Sequence, residues 1–450
     1  MRTVVRLLLV AIILTTLTSA PAESQGNRIR LVRDAEIENI IRSYATPIFN
    51  AAGLSGDAVN IHLVRDDRLN AFVAGGQRLF INSGLLIRAN SANEVIGVIA
   101  HEAGHIAGGH LARIQDELRN AQLKSLLAAV IGVAVGAATG DGGAASTIVR
   151  GGQGAALTDL LKYSRTQESA ADAAALKYLD ATGQSARGIA DFFRLLQKDI
   201  RLQGGREHPY LSSHPLTIDR ISAVDNHLAL SRYADAKPPR SQVIKHQMMR
   251  AKLIGFMQPL DNVLRIFPET NSSVPARYAR SVAYYREGNL AVAVPLIDGL
   301  IALAPKNPYF FELKGQMLFE NGRIQESLEP YRRSVELAPE EPLLRTALAR
   351  AQIETGDTAL LIETKTHLAA AAAREPEMRE IWRLTTIVNG RLGQMGEMAL
   401  AQAEFELLGG EHVAARTLAD RAIDQLPTGT PGWLRAQDIR AEAQQRINSK

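Results

Sequence analysis

Apolar residues along this chain recur mainly at the spacing of amphipathic helices. Residues 91–105 open with polar capping residues and continue with apolar positions at helical spacing, which predicts a helix, and residues 158–178 have a similar pattern. Residues 61–64 and 70–82 instead predict short strands, joined by the polar segment 65–68. We therefore expect a mainly α fold with a small β-sheet.

The C-terminal part of the chain repeats every 34 residues. This interval separates three prolines and three glycines, namely Pro308, Pro342 and Pro376, and Gly288, Gly322 and Gly356. The period is typical of tetratricopeptide repeats, whose stacked helix pairs form a concave surface that binds other proteins. We predict repeats that begin at residues 274, 308 and 342, then one extra helix over 378–392, and a fourth repeat from 396.

The first 22 residues have the pattern of a secretion signal. Arg2 and Arg6 precede an apolar run over 7–14, and Ala20-Pro-Ala22 is a small-residue cleavage site. An uncleaved membrane anchor is the alternative, but the run is short for a bilayer span of about 20 residues. We expect a secreted chain, cleaved near Ala22, with a formal charge of +2.

A second apolar stretch lies at residues 126–138. It is too short for a span, and its glycines Gly132, Gly136 and Gly140 have a spacing that lets helices approach closely. Two interpretations stay open for residues 125–154: a buried helical hairpin of the first domain, or a segment that makes peripheral contact with a membrane.

Composition and charge exclude several classes of protein. The chain has no cysteine, so it has no disulfide, no cysteine-ligated zinc finger or iron–sulfur cluster, and no cysteine nucleophile. Its formal charge of +4 is nearly balanced, and it has no long run of Lys and Arg. We therefore expect no nucleic-acid partner.

The chemistry is concentrated in His101-Glu102-Ala-Gly-His105, on the helix predicted over 91–105. His101 and His105 are about one helical turn apart, so their imidazoles share a face and can hold one zinc ion. Glu102 lies beside that face and can take a proton from a water as a general base. The alternative is that these are solvated helix residues, but burying two histidines and a glutamate in an apolar helix costs free energy unless they are paired or ligated. We expect a metal site, for which His and Glu ligands suit zinc without excluding another divalent metal.

The helix predicted over 158–178 offers a third ligand. Glu168 and Asp172 are four residues apart and share a face. Glu168 can complete the metal site, and Asp172 can accept the outer ring N–H of a ligating histidine. Taken alone, this pattern fits two solvated acidic residues better. We expect a structural role for His110, because it faces away from His101 unless the helix breaks at residues 108–109.

Three motifs in this order resemble the signature of the M48 family of zinc metalloproteases. They are His101-Glu-Ala-Gly-His105, Tyr163-Ser-Arg-x-x-Glu168-x-x-Ala-Asp172 and Ser213-His214-Pro215-x-x-x-x-Arg220-Ile221. The resemblance covers about residues 28–230, and family members with C-terminal tetratricopeptide repeats extend it to most of the chain. It implies a gluzincin-type metalloprotease domain followed by an α-solenoid.

The resemblance also implies the role of each site residue. One zinc ion per chain is bound by three residues, His101, His105 and Glu168. Glu102 is the catalytic base, and Asp172 contacts the ligands without binding the metal itself. His214 and Arg220 match positions that stabilise the oxyanion, and the histidine at the position of His214 can also cap the zinc and close the site. The strand that begins with Asn70, Ala71 and Phe72 lines the substrate cleft.

At the level of the whole protein, the resemblance implies a periplasmic endopeptidase that cleaves unfolded or misassembled outer-membrane proteins. The repeats would dock onto these clients or onto the outer-membrane assembly machinery. The expected divisions are a signal over 1–22, the protease domain over 23–230, a linker and connecting helix over 231–273, and the solenoid over 274–450. The rival interpretation is a periplasmic chaperone or scaffold whose protease site is silenced.

Overall fold

The computed structural model describes residues 30–55, 59–75, 77–110, 113, 164–202 and 209–449. The predicted secretion signal and the apolar stretch over 126–138 lie outside these ranges. Among the helices within them, none has the length and apolar character needed to cross a membrane.

Four short strands form one small sheet near the N-terminal end. They are β1 (Leu31–Val32), β2 (Asn60–Val64), β3 (Ala71–Ala74) and β4 (Arg78–Asn82). The strand order is β1-β2-β4-β3, in which β2 and β4 are parallel and the other two pairs are antiparallel. These strands agree with the predictions for residues 61–64 and 70–82, and they leave β3 at an edge of the described sheet.

Helices of the first half pack against this sheet around one apolar core. They are α1 (Ala35–Ala51), α2 (Ser83–Arg88), α3 (Ala92–Ala107), α4 over 164–181, α5 (Arg187–Leu202), α6 (Pro209–Ser213) and α7 (Ile218–Leu230). The core includes Ile41 of α1, Ile81 of β4, Ile99 of α3 and Phe192 of α5. The central helix of this domain is therefore α3, which carries the first motif.

Two helices connect the halves where the sequence predicts a connector over 241–272. They are α8 (Arg240–Met257) and α9 (Leu260–Ile266). Met249 and Leu253 of α8 belong to the core of the first half, whereas Ala251 and Ile254 belong to an apolar cluster that includes Ala279 of the second half. The connector is therefore part of both packed regions.

The C-terminal half is a succession of helices, each packed against the next. They are α10 (Val274–Arg286), α11 (Leu290–Leu303), α12 (Pro308–Glu320), α13 (Ile324–Leu337), α14 (Pro342–Glu354), α15 (Thr358–Arg374), α16 (Arg379–Arg391), α17 (Met395–Leu408), α18 (His412–Gln425) and α19 (Pro431–Asn448). The first three pairs start where the 34-residue period predicts, and α16 is the predicted extra helix. The last helix, α19, is an addition to the prediction. The predicted fold class, mainly α with a small sheet and a C-terminal solenoid, is confirmed.

A buried charge cluster joins the start of α1 to the solenoid. Lys252 of α8 is 2% exposed, and its Nζ lies 2.8 Å from Asp34, 3.3 Å from Glu36 and 4.0 Å from Glu312 of α12. The hydroxyl of Tyr278 on α10 also donates to Glu36 at 2.6 Å. Since an isolated buried charge is costly, these contacts fix how the two halves are placed against each other.

Candidate active site

The helix that carries the first motif, α3, is fixed at its start by reciprocal capping. Ser91 accepts a hydrogen bond from the N–H of Glu94 at 3.4 Å, and the Glu94 carboxylate accepts one from the N–H of Asn90 at 3.1 Å. The pair resembles a capping box in which the Glu94 carboxylate reaches one residue before the N-cap, and it agrees with the predicted helix start near residue 91. The buried helix places His101 and Glu102 in the interior of the domain.

A close approach between two helices brings the second motif onto the first. A Cβ atom at Gly104 of α3 would lie 2.7 Å from the carbonyl oxygen of Ala171 on α4. Glycine at this position therefore allows α4 to pack directly against α3. The approach places Glu168 and Asp172 over the two histidines.

Donor atoms of four side chains converge within 4.8 Å of one another. His101 Nε2 lies 3.0 Å from His105 Nε2, and these nitrogens lie 3.3 and 3.2 Å from the Glu168 carboxylate oxygens. His214 Nδ1 is 3.3 Å from His101 Nε2 and 3.1 Å from Glu168 Oε1. Zinc ligands at about 2.0–2.1 Å in tetrahedral geometry stand roughly 3.3 Å apart. These four residues, which form the donor set, therefore fit a single metal ion in both spacing and chemistry.

Asp172 lies behind the donor set and orients His101. The Asp172 carboxylate accepts a hydrogen bond from His101 Nδ1–H at 2.8 Å. This bond keeps the proton on Nδ1 and turns the lone pair of Nε2 toward the other donors. Burial by itself would lower the pKa of His101, but without a metal the hydrogen bonds to Asp172 and Glu168 outweigh burial and raise that pKa to about 9. Metal binding would therefore have to displace the second ring proton, the one on Nε2.

Arg220 is held by the carboxylates of Asp172 and Glu168. Its guanidinium is buried and donates to both oxygens of Asp172, at 2.6 and 2.9 Å, and it also lies 2.8 Å from Glu168. A further hydrogen bond joins it to the carbonyl oxygen of Pro215 at 2.9 Å. With these partners the guanidinium orients the carboxylates and the loop after His214. The oxyanion role that the resemblance implies for Arg220 stays a prediction.

Glu102 is fully buried beside the donor set. Within the described ranges neither of its carboxylate oxygens has a hydrogen-bond partner, and Oε1 lies 3.4 Å from His214 Nε2. Burial raises the pKa of this carboxyl above its ordinary value. Burying a carboxylate without a hydrogen bond lowers the stability of the fold. Such a cost is typical of residues that take part in catalysis.

His214 stands between Glu102 and the other donors. Its ring packs against Tyr210 with 4.9 Å between centroids, and against His101 and His105 at 5.1 Å each. The sequence analysis does not predict the Tyr210 contact, for which the only signal is that Tyr210 in the short helix α6 and His214 just after it are four residues apart. In this conformation His214 is the fourth member of the donor set.

The predicted substrate strand lies at the edge of the sheet. Ala71 and Phe72 belong to β3, which also packs against α3, and Asn70 immediately precedes it. Asn70 Oδ1 is buried and has no hydrogen-bond partner within the described ranges. The structure thus brings this strand to the helix of the first motif.

His110 is close to the donor set, so the expectation that it faces away is wrong. The helix α3 ends at Ala107, and the following turn places His110 Nδ1 3.0 Å from His105 Nδ1. The sequence signal was the Gly108-Gly109 pair, where the alternative of a helix break was open.

Comparison with known proteins agrees with these motifs. The family model described as Peptidase family M48 matches residues 32–228, and a tetratricopeptide repeat model matches 278–342. A protein named beta-barrel assembly-enhancing protease in Yersinia pestis is 22% identical over 433 residues, which cover 93% of this chain and 86% of that protein. The protein of the same name in Escherichia coli K12 is 22% identical, with 89% and 81% covered.

A shorter relative resembles the first half more strongly. The metalloprotease LoiP of Escherichia coli K12 is 30% identical over 186 residues, which cover 41% of this chain and 69% of LoiP. That match, the family model and the buried donor set beside Glu102 lead to one conclusion. The chain belongs to peptidase family M48 and is a metalloprotease with C-terminal tetratricopeptide repeats.

Proposed function

We propose that this metalloprotease is a periplasmic zinc endopeptidase that cleaves unfolded or misassembled outer-membrane proteins. The observation that carries the catalytic part is the donor set with the buried Glu102 carboxylate beside it, whose oxygens have no hydrogen-bond partner within the described ranges. His101, His105 and Glu168 would hold one zinc ion per chain. When bound, zinc supplies a Lewis acid that polarises the peptide carbonyl and acidifies a water.

Glu102 is the general base in this proposal. Its carboxylate takes the proton of the attacking water and passes it to the departing amine of the cleaved peptide. Burial raises its pKa, which brings the carboxyl closer to the neutral range in which it both accepts and returns a proton. Asp172 and Arg220 keep His101 and Glu168 in position through their buried hydrogen bonds.

His214 regulates access in this proposal. Catalytic zinc sites keep one coordination position open, whereas here a fourth side chain, His214, lies among the donors. The side chain must swing out before a water and a peptide can reach Glu102. A hydrogen bond from the displaced imidazole to the oxyanion is the alternative role for His214, and it predicts a loss of activity when the residue is removed.

The substrate would bind in extended form along β3. An edge strand offers free backbone groups, and pairing through the backbone tolerates many sequences. Such binding suits unfolded chains, because a folded protein rarely presents a free extended segment.

The solenoid would supply the partner contacts. Two of the relatives are named for enhancing β-barrel assembly, and tetratricopeptide solenoids bind proteins on their concave side. We therefore propose that residues 274–450 dock onto the assembly machinery or its clients, that 23–230 form the protease domain, and that 231–273 connect them. The secretion signal predicted over 1–22 is the basis for proposing a periplasmic location, and residues 125–154 are the candidate for peripheral membrane contact.

The position of His214 favours a second candidate, a chaperone whose protease site stays closed. Cells that lack this protein and accumulate a misassembled outer-membrane protein distinguish the two. Under the protease proposal, wild type clears that protein and Glu102→Gln does not, while the exposed-site control Glu326→Gln behaves as wild type. Full rescue by Glu102→Gln would support the chaperone and refute the proteolytic role.

A further inference from the structure

A tight turn after α3 folds His110 back onto a residue of the donor set. The helix ends at Ala107, and Gly109 has φ of +61°, a left-handed conformation that favours glycine. His110 then lies buried beside His105, with the two Nδ1 atoms 3.0 Å apart and the rings nearly perpendicular at 83°. The turn therefore gives His105 a hydrogen-bond partner on the side away from the other donors.

The direction of this hydrogen bond follows from the other nitrogen of His105. Its Nε2 faces the donor set, 3.2 Å from Glu168 and 3.0 Å from His101 Nε2. A neutral imidazole binds a metal through a lone pair, so the ring proton of His105 must be on Nδ1. Nδ1–H therefore donates to His110 Nδ1, and His110 carries its own proton on Nε2.

Gly108 leaves room for the His110 ring in this position, and Gln167 anchors the backbone of His110. A Cβ atom at Gly108 would clash with the His110 ring, so the absence of a side chain there makes the contact possible. Gln167 donates its side-chain N–H to the carbonyl oxygen of His110 at 3.2 Å. Since Gln167 precedes Glu168 on α4, the same helix supplies a ligand and anchors the turn.

We infer that His110 is a positioning residue that fixes the tautomer and ring orientation of His105 for metal binding. His110 accepts the Nδ1–H of His105 as Asp172 accepts the Nδ1–H of His101, but the acceptor is a neutral imidazole instead of a carboxylate. This inference rests on the proposed metal-binding role of His105. Loss of His110 should weaken metal binding, because residues that hydrogen-bond to metal ligands contribute about 10- to 100-fold to metal affinity.

The test compares two side chains of similar shape at position 110. Asn places its Oδ1 close to where His110 has Nδ1 and can accept the His105 proton, whereas Leu cannot. The zinc dissociation constant of the purified full-length protein is measured by competition with a chromogenic chelator. We expect His110→Leu to raise it about 10- to 100-fold, and His110→Asn to restore most of the affinity.

Two further variants keep this test independent of folding. Gly108→Ala should weaken zinc binding as His110→Leu does, because it displaces the His110 ring. His246→Leu is the matched control, since His246 is also buried and hydrogen-bonded, to the Ala89 carbonyl at 3.0 Å, but lies on α8. It should lower the unfolding temperature and leave zinc affinity unchanged.

The outcomes separate this inference from the proposed function. Unchanged zinc affinity in His110→Leu would overturn the inference while leaving the metal site intact. Equal losses in His110→Asn and His110→Leu would also overturn it, because packing rather than the hydrogen bond would then be responsible. A wild-type protein that binds no zinc would refute the proposed metal site itself.

Discussion

His214→Ala is the substitution that best separates an access-blocking histidine from one required for catalysis. In the structure the imidazole is buried, lies 3.1 Å from the Glu168 carboxylate, and packs against Tyr210. A peptide can be cleaved only by molecules in which this side chain has moved away. Removing it should therefore increase activity.

The size of the increase follows from the interaction that holds the ring in place. A hydrogen bond to a charged group contributes about 1.5–3 kcal/mol, which corresponds to an open fraction of roughly one molecule in 10 to one in 150. Activity is reduced by that fraction. We expect His214→Ala to raise kcat/KM for casein by roughly 10- to 150-fold.

The assay needs equal metal loading, because His214 is also one of the four donors. Each variant is measured in excess zinc, with bound zinc quantified. His227→Ala is the control, since His227 lies on α7 and pairs with Asp180 at 3.3 Å instead of with the donor set. A loss of activity in His214→Ala as large as that in Glu102→Gln would refute the blocking role.

Two further predictions concern buried charges. Arg220→Ala should lower the free energy of unfolding in urea by about 3–5 kcal/mol, because it leaves the buried Asp172 carboxylate without its guanidinium partner. A loss below about 1 kcal/mol, which is typical of an exposed ion pair, would contradict this prediction. Burial raises the pKa of Glu312 from 4.5 to about 7, and Lys252 opposes the shift. The folded state thus holds this proton more tightly, so stability should fall as pH rises between these values. Glu312→Gln should remove that decrease in thermal unfolding measured across this range, and an unchanged pH profile would refute it.

The ligand residues could be predicted from sequence because local helix geometry determines their spacing. His101 and His105 share a face of α3 whatever the rest of the chain does, and Glu168 and Asp172 share a face of α4. The 34-residue period similarly predicts the starts of α10, α12 and α14, since each repeat has the same helix pair.

Other features depend on contacts that sequence spacing does not encode. His110 meets His105 because of a single left-handed residue, Gly109, and the same sequence with a continuous helix would point it away. Arg220 of α7 donates hydrogen bonds to Asp172 of α4 because the fold brings these two helices together. The contact of Lys252 with Asp34 joins residues more than 200 positions apart, and it depends on how the two halves meet.

The central claim is that the donor set and Glu102 together form a metallopeptidase site. The most direct measurement is casein cleavage by wild type, by Glu102→Gln and by wild type with a chelator, with bound zinc quantified in each. We predict cleavage only by untreated wild type, and one zinc per chain retained in Glu102→Gln. Cleavage by Glu102→Gln at the wild-type rate, or a wild-type protein that binds no zinc, would contradict the account.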